Sequence, residues 1–271
     1  MASIFIERLQ PQINALANIY KMSEEFSASL LILFETYQDT TDPSPIKFFP
    51  NAIIPSYQTP PIVQNSLRRR FREFPAKFPN ATTKIIDILW HERHLEPKLF
   101  AIFLLSNIPN DPELKIEVIN QWMSSKIEKP LVDAVLERIS KDEQILNHLK
   151  WRELVQSWIQ SENDNKVING IRSTQMMISH PSFTNIPLIF KLLESIIQKQ
   201  TIKNQNDILN LIRACISKTP GETAAFLIYL QNILQKEKIN QIIRKSIDFF
   251  DPYYKNEIRK SLICQGQVKM S

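Results

Sequence analysis

Residues 82–112 read TTKIIDILWHERHLEPKLFAIFLLSNIPNDP, and this stretch decides the fold. Its first half gathers Ile85, Ile86, Ile88, Leu89 and Trp90 on the buried side of a helix. Its second half does the same with Leu99, Phe100, Ile102, Phe103, Leu104 and Leu105, and residues 107–112 form a proline-bounded turn. This helix pair recurs: pairs begin near Lys84, Ile116, Trp151, Ile186 and Thr223, at steps of 32 to 37 residues. A pair of that size cannot bury its own apolar face, so successive pairs must stack. Nothing alternates in the two-residue rhythm of a strand. The expected fold is therefore an all-α helical-repeat solenoid, an α–α superhelix whose concave groove is where function should sit.

On the N-terminal side, residues 5–20 place Phe5, Leu9, Ile13, Leu16 and Ile19 or Tyr20 along one helical face. A second helix starts near Ser23, and its run Leu30, Leu31, Ile32, Leu33, Phe34 is apolar nearly all round, which predicts a helix sandwiched between neighbours. Pro43, Pro45, Pro50, Pro55, Pro60 and Pro61 then forbid a continuous helix. The aromatic residues Phe48, Phe49 and Tyr57 predict that this loop packs across adjoining helices. Helix resumes at residues 65–72. Further helices are expected near 112–125, 129–139, 151–160, 166–179, 186–200, 206–217, 223–235, 240–249 and 252–262, with turns at 161–165, 180–184 and 218–222. The whole chain, 1–271, reads as one elongated domain: an N-terminal helix pair (1–39), a Pro-rich loop (40–63) and stacked pairs (64–271).

Composition narrows the function. The chain has 271 residues and only three glycines, Gly170, Gly221 and Gly266, where average usage of ~7% would give nearly twenty. Glycine-dependent phosphate loops are thereby excluded. Cys215 and Cys264 follow no metal-ligand spacing, and no apolar run reaches the ~18 residues of a membrane span. The N-terminus lacks the basic start and continuous apolar core of a secretory signal. A reduced, cytoplasmic protein without membrane, metal or cofactor is expected. Charge is uneven: residues 1–60 carry three basic and six acidic side chains, leaving 30 basic and 22 acidic in the remainder. With an isoelectric point of about 9.1, a polyanion such as nucleic acid fits as a partner, although this balance is also ordinary for a soluble protein.

Several residue groups are candidates for chemistry. Arg68, Arg69, Arg70 and Arg72, with Lys77 nearby, form the densest basic cluster and read either as phosphate contacts or as a solvated helix face. Consecutive residues on a helix are ~100° apart, so three adjacent guanidiniums are not expected to face one ligand. His91, Glu92, Arg93 and His94 fall short of a zinc helix, because the histidines are three residues apart rather than four. Trp122, Trp151 and Trp158 sit at apolar helical positions, which favours core packing over base stacking. Asp133 interrupts the apolar series Leu131, Val132, Ala134, Val135, Leu136. It reads either as a first-turn acid favoured by the helix dipole or as a carboxylate placed to meet a cation or activate water.

Three segments together resemble the alkylpurine DNA glycosylases of the AlkD type, the DNA alkylation repair proteins built from HEAT-like helical repeats. They are residues 89–105, residues 158–179 beginning Trp158-Ile159-Gln160-Ser161-Glu162-Asn163, and residues 206–230 with Thr219-Pro220-Gly221-Glu222 before Phe226 and Leu227. With the helices between them the likeness spans about residues 60 to 235. The resemblance implies a concave basic surface that holds duplex DNA, and release of a cationic alkylated base by a carboxylate flanked by tryptophans. It places Asp133 at the carboxylate. Lys129, one helical turn earlier, stands where a tryptophan is expected, and Asn210 stands near the second tryptophan. Asn169 falls where an arginine would hold a phosphate, and a slip of three residues offers Arg172 instead.

An ammonium in place of an aromatic face repels the cation that base release creates. The resemblance therefore implies a divergent, DNA-binding member with weak or lost base excision, Asp133 being its one catalytic candidate. Arg68, Arg69, Arg72, Lys129, Lys166, Asn169, Arg172, Asn210 and Arg213 are the DNA-contact candidates. The expected partner is double-stranded DNA, alkylated or not, bound by a monomer. The competing expectation is a HEAT-like scaffold that takes a protein or peptide in its groove, and a third reading keeps excision through an altered site.

Overall fold

The computed structural model describes residues 2–38, 54–124, 127–199, 205–234 and 237–268. Among them every regular element is helical, and no helix is long and apolar enough to cross a membrane. The chain gathers into two compact units, Met1–Ile145 and Leu146–Ser271.

Unit one contains α1 (Ala2–Ile19), α2 (Ser23–Thr36), α3 (Pro61–Phe71), α4 (Phe74–Lys77), α5 (Pro79–His91), α6 (Leu95–Ser106), α7 (Pro112–Ser124) and α8 (Lys129–Ile139); the short α9 (Glu143–Asn147) begins in it and ends just past Ile145. Proline occupies the first or second position of α3, α4, α5, α7 and α8. Its fixed φ suits a helix start, and its missing N–H would have had no intrahelical partner there. A chain with 17 prolines and three glycines thus makes many of its turns at the next helix's proline.

Helix α6 is apolar around its circumference because α3, α5 and α8 all pack on it. Ten of its residues are buried, among them Leu99, Phe100, Ile102, Phe103, Leu104 and Leu105. Helix α2 departs from expectation. It packs between α1 and α5, and Leu30, Leu33 and Phe34 are buried, but Ile32 is 62% exposed, so one side of this helix faces solvent and it is not covered all round. Tyr20 sits at the junction of α1 to α5, with ring centroids 4.8 Å from Phe26, 5.6 Å from Phe71 and 4.9 Å from Phe74. Its hydroxyl shares a 2.8 Å hydrogen bond with the Thr82 hydroxyl, and burial pushes the phenol up to about 12.

The end of the Pro-rich loop, residues 54–60, is a strap across α2 and α6. Tyr57 stacks between Phe34 (6.0 Å) and His94 (4.0 Å), the packing predicted for the loop's aromatics; Phe48 and Phe49 lie outside the described residues. The buried Glu96 carboxylate accepts from the Ser56 hydroxyl at 2.6 Å and from the N–H groups of Tyr57 at 3.0 Å and Thr59 at 3.4 Å. Glu128 accepts from the Ile54 N–H at 3.1 Å.

Unit two contains α10 (Leu149–Gln160), α11 (Asp164–Ser179), α12 (Ile186–Lys199), α13 (Gln205–Lys218), α14 (Pro220–Leu234), α15 (Glu237–Ser246), a 3-10 turn Ile247–Phe249 and α16 (Pro252–Val268). The turn expected at 218–222 shrinks to Thr219, because α14 begins on Pro220. Helix α11 is central, packed by α10, α12 and α13. Gly170 lets it approach α10: a Cβ there would lie 2.8 Å from Ile159 Cγ1 and 3.1 Å from the Ile159 backbone nitrogen. Asn163 caps α11, its side chain accepting from the N–H groups of Asn165 and Lys166. Lys218 clamps the turn after α11 by donating to the carbonyls of His180 and Phe183, each at 2.6 Å.

Candidate nucleic-acid interface

Helix α8 starts on Lys129, with Pro130 fixing its second position. Leu131, Val132, Val135, Leu136 and Ile139 are buried, which leaves Lys129, Asp133 and Glu137 exposed at four-residue steps on the opposite side. Asp133 is thus the fifth helical residue, beyond the first turn, so the first-turn dipole explanation of this acid does not apply. Lys129 lies one turn before it, and Glu137, which accepts from Lys141 at 2.9 Å, one turn after.

Arg68, Arg69, Arg70 and Arg72 project from the C-terminal end of α3, whose Val63, Leu67 and Phe71 are buried. All four border one cleft of about 1040 Å³ together with Arg138 and Lys141. The three adjacent arginines Arg68, Arg69 and Arg70 thus border a single cleft at the C-terminal end of α3. Arg70 lies over the Phe74 ring at 5.2 Å and Arg138 over Phe103 at 6.0 Å. Arg68 is half-buried, and burial together with the nearby Arg138 pulls its guanidinium below the usual range, partly offset by Glu137. Lys77 is outside this group, paired with Glu73 at 2.7 Å.

In unit two, Lys166 occupies the first turn of α11 and is half-buried, and Asn169 is buried at 7% exposure. Arg172 donates from Nε to Asp207 Oδ1 of α13 at 3.2 Å. Asn210 is exposed on α13, and the exposed Arg213 lies 4.1 Å over the Phe249 ring. Of the two positions considered for a phosphate-holding arginine, the buried one is an amide and the partly exposed one already shares its charge with a carboxylate. The tryptophans fill core: Trp122 stacks on Trp90 at 4.0 Å, and Trp151 meets Trp158 edge-on at 5.7 Å. His91 faces the Asp87 carbonyl and His94 stacks on Tyr57.

Sequence reasoning missed Arg138 and Lys141 at the cleft and Asp207 as the partner of Arg172. The signal was the repeat itself. Arg68, Phe103 and Arg138 are successive 35-residue steps, Arg72, Asn107 and Asp142 are another series, and Arg172 to Asp207 is one more. Residues one repeat apart become neighbours in stacked helix pairs.

No curated protein and no solved structure matches the chain. The family model for the DNA alkylation repair enzyme matches residues 58–245, from the strap through α15 and well over half of the 271 residues. An all-helical chain matched across both its units in this way belongs to the DNA alkylation repair enzyme family.

Proposed function

We propose that this protein binds duplex DNA by phosphate attraction and has weak or no base-excision activity. The observation that carries the reading is the exposed side of α8, where Lys129 stands one helical turn before Asp133. Breaking a glycosidic bond to an alkylated purine spreads positive charge over base and sugar. A carboxylate lowers the energy of that charge, and an ammonium one turn away raises it. The neutral, buried Asn169 and the exposed amide Asn210 supply neither a phosphate clamp nor an aromatic face. Phosphate contacts then fall to Arg68, Arg69 and Arg72 in unit one and to Lys166, Arg172 and Arg213 in unit two.

Duplex affinity and release of methylated purine, measured on one preparation, test this. Affinity should fall linearly on a log–log scale with salt, by ~0.9 per phosphate neutralised, while released base stays at background. Absent or salt-independent binding refutes the reading. Base release that disappears in Asp133→Asn would instead establish a working glycosylase. Lys129→Trp removes the opposing charge and should raise base release above the parent protein.

A further inference from the structure

The cleft at the end of α3 holds more positive charge than its surroundings neutralise. Its acidic neighbours pair first with lysines: Glu73 with Lys77 at 2.7 Å, Asp142 with Lys115 at 2.7 Å, and the adjacent Glu137 with Lys141 at 2.9 Å, while at longer range Glu73 feels Arg72 and Glu137 feels Arg68 and Arg138. Among the described residues, no carboxylate lies within ion-pair distance of Arg68, Arg69, Arg70, Arg72 or Arg138, and Glu143 is the one remaining acid on the cleft wall. A helix C-terminus favours a cation, which accounts for single arginines in the last turns of α3 and α8. It does not account for lining one cleft with both Arg138 and the half-buried Arg68, whose charge Arg138 disfavours. Like charges held together in a partly desolvated place destabilise a fold unless a ligand neutralises them.

We infer that this cleft is a phosphate-binding site in which Arg68 of α3 and Arg138 of α8 together grip the phosphate of a nucleic acid, with Arg69, Arg70 and Arg72 extending the contact along the strand. The choice of nucleic acid rests on the DNA-binding reading above; the phosphate chemistry does not. Guanidinium forks match phosphate oxygens in bidentate fashion, and arginine keeps its charge even when half-buried. A volume of about 1040 Å³ exceeds what a lone inorganic anion needs and suits a stretch of backbone. Arg138 enters the site from α8, the helix that also carries Lys129 and Asp133, so a strand held here is tied to the element bearing the catalytic candidate. The gripped group is either an internal phosphodiester or a terminal phosphate.

The test compares the full-length protein with the Arg68→Met/Arg138→Met double variant, which keeps the apolar stems and removes both charges. Binding is followed by fluorescence anisotropy over a salt series on one blunt duplex, prepared with 5′-hydroxyl or with 5′-phosphate ends. For a cleft that holds internal phosphodiesters, the log–log salt slope falls by about 1.8 on both duplexes, two phosphates at ~0.9 each. A cleft that grips a strand end loses slope on the 5′-phosphate duplex alone, and this supports the site equally. Unchanged slope and affinity on both duplexes overturn it. The variant should melt no lower than the parent, since a like-charge pair has been removed. If it does melt lower, the Arg68→Gln and Arg138→Gln single variants replace it, each with an expected slope change of ~0.9. Millimolar pyrophosphate provides the independent arm. If the parent binds neither duplex but pyrophosphate raises its melting temperature and not that of the variant, the DNA reading falls and the phosphate site stands. With no duplex binding and no pyrophosphate shift, both fall.

Discussion

Replacing Asp142 by alanine takes the counter-charge from Lys115, whose side chain is 6% exposed and whose ammonium lies 2.7 Å from the carboxylate. Ile102, Ile119, Trp122 and Val135 line the same small cavity beside the pair, so the ammonium lies among largely apolar groups. An ammonium stranded in such surroundings costs about 3–5 kcal/mol. Asp142 also accepts from the N–H groups of Gln144 and Ile145 at the start of α9, and losing that cap adds about 1 kcal/mol. Lys115→Met is the milder change. It leaves a carboxylate that is 21% exposed and still capping α9, so about 1–2 kcal/mol is expected. The discriminating species is Lys115→Met/Asp142→Ala. With no ammonium left to strand, and a thioether packed among apolar neighbours, it should be more stable than Asp142→Ala alone by at least ~1.5 kcal/mol. Urea unfolding followed by far-UV circular dichroism measures all three. A double variant no more stable than the Asp142→Ala single would refute the idea that the stranded ammonium dominates the loss.

Gly170→Ala gains about 1 kcal/mol of helix propensity but forces a methyl to 2.8 Å from Ile159 Cγ1 and 3.1 Å from backbone; overpacking of about 1–3 kcal/mol should dominate, read as a lower melting temperature. Glu96→Ala removes the acceptor of three strap hydrogen bonds and should cost about 3 kcal/mol; proteolytic nicking within residues 54–60 should appear, and an uncut strap would contradict its anchoring role. Burial pushes the Cys215 thiol up to about 12 from an ordinary 9.0, so between those values the unfolded thiol has lost its proton while the folded one keeps it. Its contribution is complete below pH ~9, is lost as pH rises toward 12, and amounts to ~4 kcal/mol at most. Cys215→Ala should flatten the alkaline fall of stability, and an unchanged slope would count against the buried thiol. Native Cys215 should likewise resist iodoacetamide at pH 8, checked by peptide mass spectrometry.

Most of the helices were legible because apolar residues recurred at helical steps and prolines marked starts. Where the reading failed, composition had hidden position. The run from Leu30 to Phe34 is uniformly apolar, and no periodicity within it says that Ile32 meets solvent; only the arrangement of partners around α2 decides that. Conversely, α6 looks similar in composition and has ten of its twelve residues buried because three helices pack on it. The short α4 and α9 fell below the length at which a helical period can be seen. Glu96 was indistinguishable in sequence from a solvated helix-start acid, and its role becomes visible only when the strap lays its N–H groups on it.

The candidate site was legible to a different degree in each unit. In unit one the arginine cluster was visible as composition, but the contribution of Arg138 was not, since it lies in a mixed sequence, Glu137-Arg138-Ile139-Ser140-Lys141-Asp142, far from the cluster. A 35-residue step from Arg68 through Phe103 reaches it, because stacking sets repeat-equivalent residues side by side. The same step in unit two joins Arg172 to Asp207 and yields an ion pair instead of a bare cation. One geometric rule thus produces opposite electrostatic outcomes, according to whether the equivalent position one repeat on is an arginine or an aspartate. Exchanging the signs should exchange the behaviour. Asp207→Asn takes that carboxylate from beside Arg172 and should steepen the salt slope of duplex binding, whereas Arg138→Glu, which places a carboxylate in the cleft with Arg68, should flatten it by about 1.8. A duplex whose salt dependence ignores both changes would mean that neither position meets phosphate.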